Sequence, residues 1–271
     1  MPTAKDWKGI WLISGIIVVL AFFFAVKVSV GSRPTPGTDN CVGTSVASTV
    51  ILFDRSEEIS AQTLDEIEAR ALAHIRDHVQ LNERVTLFNV TDLSKRSLKP
   101  IVSLCRPPDS GSRLTENPRL IQKQYEERFI APIKLALNTL PGSTPESPIA
   151  QAVTDVSLSV YLKAQSNSLL IFSDMLENSS AFSLYRCASA ADVIARYRES
   201  RRGAKERPAF HSTKVYLNLI PRLRQTAETL KCRDTLWTWF FGDNDGPGAG
   251  LEMNYLPGGE PLKDPAKGTS R

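Results

Sequence analysis

Short apolar runs that alternate with amphipathic helical patterns constrain the fold of this chain most strongly. The runs are rich in β-branched and aromatic residues and cover 45–53, 85–90, 101–104, 168–172 and 214–220. The helical patterns, with apolar residues at helical spacing, cover about 63–79, 118–140, 148–162, 190–198 and 224–241. Such alternation predicts an α/β fold, a doubly wound and mainly parallel sheet with helices on both faces.

Composition allows a large folded domain and gives no indication of nucleic-acid binding. The chain has 271 residues, of which 42% are hydrophobic, so it can bury a sizeable core. Its formal net charge of +4 is small and spread along the sequence, so we expect no nucleic-acid partner.

The N-terminus contains an uncharged stretch at 9–26 that favours a membrane anchor. A helix of about eighteen residues covers about 27 Å, close to the thickness of a hydrocarbon core. A cleaved signal peptide is the alternative, but its apolar region is usually shorter. The predicted organisation is a tail at 1–8, a single transmembrane helix at 9–30, a linker at 31–44, a folded domain at 45–241 and a Gly/Pro-rich tail at 242–271.

Four cysteines leave the compartment open. Basic residues flank the apolar stretch almost evenly, so we expect an extracytoplasmic domain only because a large domain follows a short N-terminal tail. In that compartment Cys41, Cys105, Cys187 and Cys232 can form disulfides in three connectivities, and we predict that Cys187 pairs with Cys232. The cysteine spacing does not match a zinc site.

Three polar triplets follow predicted strands or begin a predicted helix. They are Asp54-Arg55-Ser56, Ser147-Pro148-Ile149 and Ser173-Asp174-Met175. Ligands of open parallel sheets gather at the carboxyl ends of the strands, so these acids and hydroxyls are expected to lie at one edge. An all-oxygen ligand set suits a hard divalent cation such as Mg²⁺.

From about Val46 to Phe241 the chain resembles the von Willebrand factor A-type (vWA) domains. In that family the first strand ends in an Asp-x-Ser-x-Ser motif, which joins a Thr and an Asp from two other loops in a metal-ion-dependent adhesion site. Asp54 and Ser56 match the first motif, Ser147 stands at the position of the Thr, and Asp174 matches the third loop. The resemblance implies bound Mg²⁺, or Mn²⁺ or Ca²⁺, and a protein partner that contributes an acidic side chain.

One position departs from the family motif. Glu58 replaces the second Ser, with Ser60 two residues further on. Glu58 could face the ion and make the site more negative, which favours a structural metal, or it could face solvent and leave Ser60 or water to complete the ligands. Singly, each predicted ligand also has an ordinary role as a helix cap or loop residue.

The sequence shows no phosphate-binding glycine loop, no serine nucleophile motif and no Cys/His pair, so we expect no enzymatic activity. The predicted function is a single-pass membrane-anchored binding module with a divalent-cation site. Two alternatives stay open. One is a metal-independent structural subunit of a membrane complex. The other is a metal-dependent hydrolase, which would need a general base such as Glu57 or Glu58.

Overall fold

The computed structural model describes residues 4–29, 36–90, 98–111, 116–139, 144–208, 210, 212–222, 225–242 and 249–257. The chain divides into two compact units, Met1–Gly37 and Thr38–Arg271. In the first unit, the structure describes one helix, α1 (Ala4–Ser29). Among the described residues, no helix is both long enough and apolar enough to cross a membrane.

The second unit is an α/β domain. Its strands are β1 (Ala47–Phe53), β2 (Arg84–Asn89), β3 (Val102–Cys105), β4 (Ser166–Ser173), β5 (Thr213–Leu219) and β6 (Gly250–Tyr255). Its α-helices are α2 (Ala61–His78), α3 (Pro118–Tyr125), α4 (Ala131–Asn138), α5 (Ile149–Leu158), α6 (Val193–Ser200) and α7 (Ala227–Phe240). Single turns of 3₁₀ helix cover Val160–Leu162 and Leu184–Arg186.

The six strands form one sheet in the order β3-β2-β1-β4-β5-β6. All neighbouring pairs are parallel except β2 and β3. The chain builds outward from β1 through β2 to β3, then crosses back to place β4 on the other side of β1. The strand order therefore reverses between β1 and β4, which is the point where ligands bind in open α/β sheets.

Alternate residues of the central strand enter two separate hydrophobic cores. Val50 and Leu52 pack in one core with apolar residues of α5, α6 and α7. Ile51 and Phe53 pack in the other with residues of α2 and α4. All seven residues of β1 are buried, as expected for a strand covered on both faces. The predicted α/β fold class, with a mainly parallel sheet, is confirmed.

The predicted helical stripes are buried, but two helices differ in detail. The sequence pattern predicts that α2 begins near Thr63, with Thr63 as its N-cap. The helix instead begins at Ala61, and Ser60 is the N-cap residue. The predicted helix 118–140 is interrupted by a π-helical turn, Glu126–Ile130, where the Ala131 N–H reaches the Glu126 carbonyl. Phe129, Ile133 and Leu137, which are spaced four residues apart, are all buried.

The predicted linker and C-terminal tail both contribute to the domain, contrary to expectation. The Arg84 guanidinium contacts Asp39 at 2.9 Å, and the Val42 N–H donates to Asn82 Oδ1 at 2.8 Å. Past the predicted domain end at 241, β6 adds a parallel strand to β5. Backbone hydrogen bonds with β5 thus hold β6 in the sheet, although the Gly/Pro-rich sequence around it predicts no regular structure. Residues 31–35 of the predicted linker, and 243–248 and 258–271 of the predicted tail, lie outside the described residues.

Two disulfides close the domain. Cys41 is bonded to Cys105, which joins the segment before β1 to the edge strand β3. Cys187 is bonded to Cys232 of α7, the pairing predicted from the sequence for an oxidising compartment. Cys105 and Cys232 are fully buried, whereas Cys187 is partly exposed.

Replacing Cys187 and Cys232 together by Ala is expected to lower the free energy of unfolding by about 3–4 kcal/mol. The bridge spans a sequence separation of 45 residues, and opening it restores chain entropy to the unfolded state. Urea unfolding of wild type and the double variant measures the difference. Four thiols that react with an alkylating reagent in native, unreduced protein would contradict both bridges.

Candidate metal centre

The carboxylate of Asp54 lies at the centre of the candidate site. Asp54 directly follows β1, is 3% exposed, and its N–H donates to the Phe172 carbonyl of β4 at 2.9 Å. Its Oδ2 accepts hydrogen bonds from the Ser147 hydroxyl at 2.7 Å and the Ser173 hydroxyl at 2.8 Å. Its Oδ1 accepts the Ser56 N–H at 3.0 Å. One carboxylate therefore holds together three chain segments at the point of strand reversal.

The segment before α5 carries Ser147 and is fixed by the segment after β4. Ser147 and Asn178 exchange backbone hydrogen bonds of 2.7 and 3.0 Å. The Asn178 side chain also donates to the Pro145 carbonyl at 2.9 Å, and the Thr144 N–H donates to the Ser56 carbonyl at 2.8 Å. The position of the Ser147 hydroxyl is thus set by backbone contacts to both neighbouring loops.

Glu177 supports the same loop from inside the domain. Its carboxyl group is 3% exposed, and its Oε2 accepts the Ala150 N–H in the first turn of α5 at 2.8 Å. Burial raises the pKa of Glu177 to about 8, although the Ala150 hydrogen bond and the charge of Arg201 act in the opposite direction. A buried carboxyl group accordingly helps to position Ser147.

Asp174 reaches the site through a strained turn after β4. The next residue, Met175, has a φ of 58°, a left-handed conformation that is unfavourable for a side chain without a local hydrogen bond. The Ser173 hydroxyl accepts the Met175 N–H at 2.8 Å, and the indole N–H of Trp237 donates to the Met175 carbonyl at 2.6 Å. These contacts hold the turn, and backbone strain of this kind is common at functional sites.

An arginine from the loop after β5 completes the cluster. The Arg222 Nε–H lies 2.8 Å from Asp174 Oδ2 and 3.2 Å from Glu57 Oε2. Its Nη1 donates to the Glu58 carbonyl at 3.0 Å. The Tyr185 hydroxyl donates to the other oxygen of Glu57. Arg222 therefore links the loops that follow β1, β4 and β5.

Burial sets the electrostatics of these groups. The pKa of Asp174 is raised to about 6, first by burial and then by the negative charge of Asp54, while Arg222 opposes the shift. Burial and the carboxylates of Asp174 and Glu57 raise the pKa of the Tyr185 hydroxyl, so it is a neutral donor at physiological pH. At neutral pH, Asp174 is mainly ionised and paired with the Arg222 guanidinium.

The predicted ligands divide into two groups. Asp54 and Ser147 are in direct contact, the Ser56 N–H is bonded to Asp54, and Asp174 is close enough to Asp54 for their charges to interact. Glu58 is exposed and meets Arg222 only through its backbone carbonyl. Ser60 caps α2, where its hydroxyl accepts the Thr63 N–H at 3.2 Å. The alternatives of Glu58 or Ser60 as ligands therefore have no geometric support.

The chemistry of the remaining groups fits a hard cation, with one competing contact. The Ser147 hydroxyl that donates to Asp54 keeps its lone pairs for an ion, whereas the Ser173 hydroxyl also accepts the Met175 N–H. However, Asp174 uses Oδ1 to accept the Leu176 N–H at 2.9 Å and Oδ2 to accept from Arg222. Within the described part of the chain, no group of three or more His, Cys, Asp and Glu side chains could hold a metal ion. A cation here would depend on hydroxyl as well as carboxylate oxygens.

Sequence reasoning missed two groups of the cluster. Arg222 follows β5 much as Asp54 follows β1 and Asp174 follows β4. Its position at the carboxyl edge of the sheet could therefore have been predicted from the sequence. Glu177 gave no signal, because it lies three residues beyond Asp174 on a segment without helical or strand periodicity. Only the fold brings its carboxyl group to the start of α5.

Comparisons with known proteins do not assign this chain to a family. Neither a protein-family model nor a curated protein matches this sequence. Among solved structures, proximal thread matrix protein 1 from the mussel byssus is similar with a TM-score of 0.35 and 9% identity, covering 78% of this chain and 42% of that one. The human COPII-coat protein Sec24c gives a TM-score of 0.34 and 12% identity, covering 80% of this chain and 30% of that one. The chain thus spans less than half the length of either protein.

Replacing Glu177 by Gln is expected to remove a pH dependence of stability. The raised pKa means that folded protein holds a proton up to about pH 8, whereas the unfolded chain releases it near the ordinary pKa of 4.5. The stabilising contribution is thus complete below pH 4.5 and is lost as pH rises towards 8.

The substituted Gln side chain can still accept the Ala150 N–H through its carbonyl oxygen, so the change isolates the charge. Urea unfolding across this pH range should show wild type losing up to about 1.4 kcal/mol per pH unit relative to the Glu177→Gln variant. Parallel pH profiles for the two proteins would show that Glu177 is ionised in the folded state at neutral pH.

Proposed function

We propose that this protein is a vWA-like protein-binding module whose carboxyl sheet edge carries a divalent-cation site. The observation that best supports the proposal is the Ser147 hydrogen bond to Asp54, at 2.7 Å. It joins two of the three predicted ligand loops on one buried carboxylate at the point of strand reversal, where α/β sheets bind ligands.

Asp54, Ser147 and Asp174 would hold the cation, with Ser56 beside them on the first loop. Mg²⁺ fits this set best, because it takes few carboxylates and keeps several waters. Mn²⁺ and Ca²⁺ accept the same oxygen donors. When bound, the ion would supply a coordination position for an acidic side chain of a partner protein. The chain's own contribution is to fix the hydroxyls and carboxylates through the hydrogen bonds described above.

A metal-independent role is the second candidate, and a specific contact favours it. Arg222 already supplies a cation to Asp174 and Glu57 and joins three loops. An edge held in this way can serve as a rigid structural surface without any bound ion. The hydrolase alternative has less support, because Arg222 and Tyr185 both engage Glu57, and Glu58 is directed to solvent. The membrane anchor and the extracytoplasmic location stay sequence-based predictions.

Mg²⁺ is expected to bind the full chain and to raise its thermal midpoint, and Asp54→Asn is expected to abolish both effects. Asparagine keeps the shape of the side chain but removes the charge at the centre of the site. Isothermal titration calorimetry measures binding, and a cation at about 100 times its Kd adds about 2.7 kcal/mol to stability. Asp77→Asn is the matched control, because Asp77 is a surface carboxylate at the far end of α2, paired with Arg76.

Absence of Mg²⁺-dependent heat and stabilisation in wild type would reject the cation site and favour the structural role. A partner protein identified later separates the two candidates again. Binding that survives a chelator and Asp54→Asn supports the structural surface, whereas binding lost in both supports capture through the ion.

A further inference from the structure

We propose that Arg222 is a built-in competitor of the divalent cation and sets the affinity of this site. The inference rests on the proposed function, since it concerns how that site is regulated. The observation that supports it is the ion pair between the Arg222 guanidinium and the Asp174 carboxylate, which the cation would need as a ligand.

Arg222 is held close to the site by the backbone that leads to it. The N–H of Ile220, the residue after β5, donates to the Ser173 carbonyl at 2.9 Å. Arg222 follows this anchor by two positions, so its backbone stays next to the end of β4. The Arg222 side chain is 14% exposed and thus largely withdrawn from water.

The guanidinium is paired with a carboxylate that a cation would use. Asp174 Oδ1 is bonded to the Leu176 N–H within its own turn, and Oδ2 is bonded to Arg222. A divalent ion that binds Asp174 through Oδ2 must share that oxygen with the Nε–H donor or displace it, since each carboxylate oxygen has two lone pairs. Two cations on one buried carboxylate also repel each other strongly, because solvent screening is weak there.

The displaced guanidinium has a second partner in place. Glu57 Oε2 lies 3.2 Å from the same Nε, and Tyr185 fixes the other oxygen of Glu57. Arg222 can therefore keep one ion pair when it gives up Asp174. If the guanidinium shifts from Asp174 towards Glu57, the divalent ion replaces it at Asp174. No buried charge is then left unpaired.

Arg222→Gln is expected to raise the affinity of the full chain for Mg²⁺ at least about tenfold, measured by calorimetry at constant pH and ionic strength. Arg222→Lys is expected to give an intermediate affinity, because Lys keeps the charge but lacks the planar donor group. Arg84→Gln is the matched control, since Arg84 begins β2 and pairs with Asp39, away from the carboxyl ends of the strands. Its Mg²⁺ affinity should equal that of wild type.

Wild type alone provides a second test in case Arg222→Gln fails to fold. The Nε–H resonance of Arg222, assigned by its loss in Arg222→Lys, should shift as Mg²⁺ saturates the site, because the Nε–H exchanges Asp174 for Glu57. An unchanged resonance at saturation would overturn the inference. Equal affinities of wild type and Arg222→Gln would overturn it while leaving the cation site intact, whereas absence of binding in every variant would reject the cation site and the inference together.

Discussion

The buried carboxylate of Asp54 is the interaction on which the carboxyl edge of the sheet depends. It follows the central strand at the point where the strand order reverses, and it accepts hydrogen bonds from one backbone N–H and two hydroxyls. Those donors come from the loop after β1, the segment before α5 and the end of β4. A buried carboxylate is costly unless its oxygens are satisfied, so folding must bring the three segments together.

Positive charge is the second requirement of the same edge. Asp174 and Glu57 meet Arg222, and this guanidinium draws the loop after β5 into the cluster. Either a guanidinium or a divalent ion can stabilise carboxylates that are withdrawn from water. The proposed competition between them follows from geometry, because both would bind the same carboxylate, that of Asp174. The affinity of such a site for metal then depends as much on its arginine as on its ligands.

Much of the fold was predictable from hydrophobic periodicity. The apolar run ending at Phe53 is a strand buried on both faces, and Phe129, Ile133 and Leu137 lie on a buried helical face. Periodicity failed for β6, which pairs with β5 through backbone hydrogen bonds and whose residues are all exposed or only partly buried. It also failed at the segment around Asp39, which is held by Arg84 and by the disulfide of Cys41. Long-range contacts of this kind leave no local pattern.

The sequence by itself determined that Asp54, Ser147 and Asp174 belong to one edge, because parallel strands deliver their carboxyl ends to the same side of a sheet. It could not decide what each side chain does there. Tertiary structure assigned Ser60 to a helix cap, turned Glu58 to solvent and paired Asp174 with Arg222. The physical reason is that helical crossovers make successive strands parallel, and the alternation of strands and helices that indicates such crossovers can be read from the sequence. The partner of a charge is instead set by distances of a few ångströms between segments far apart in sequence.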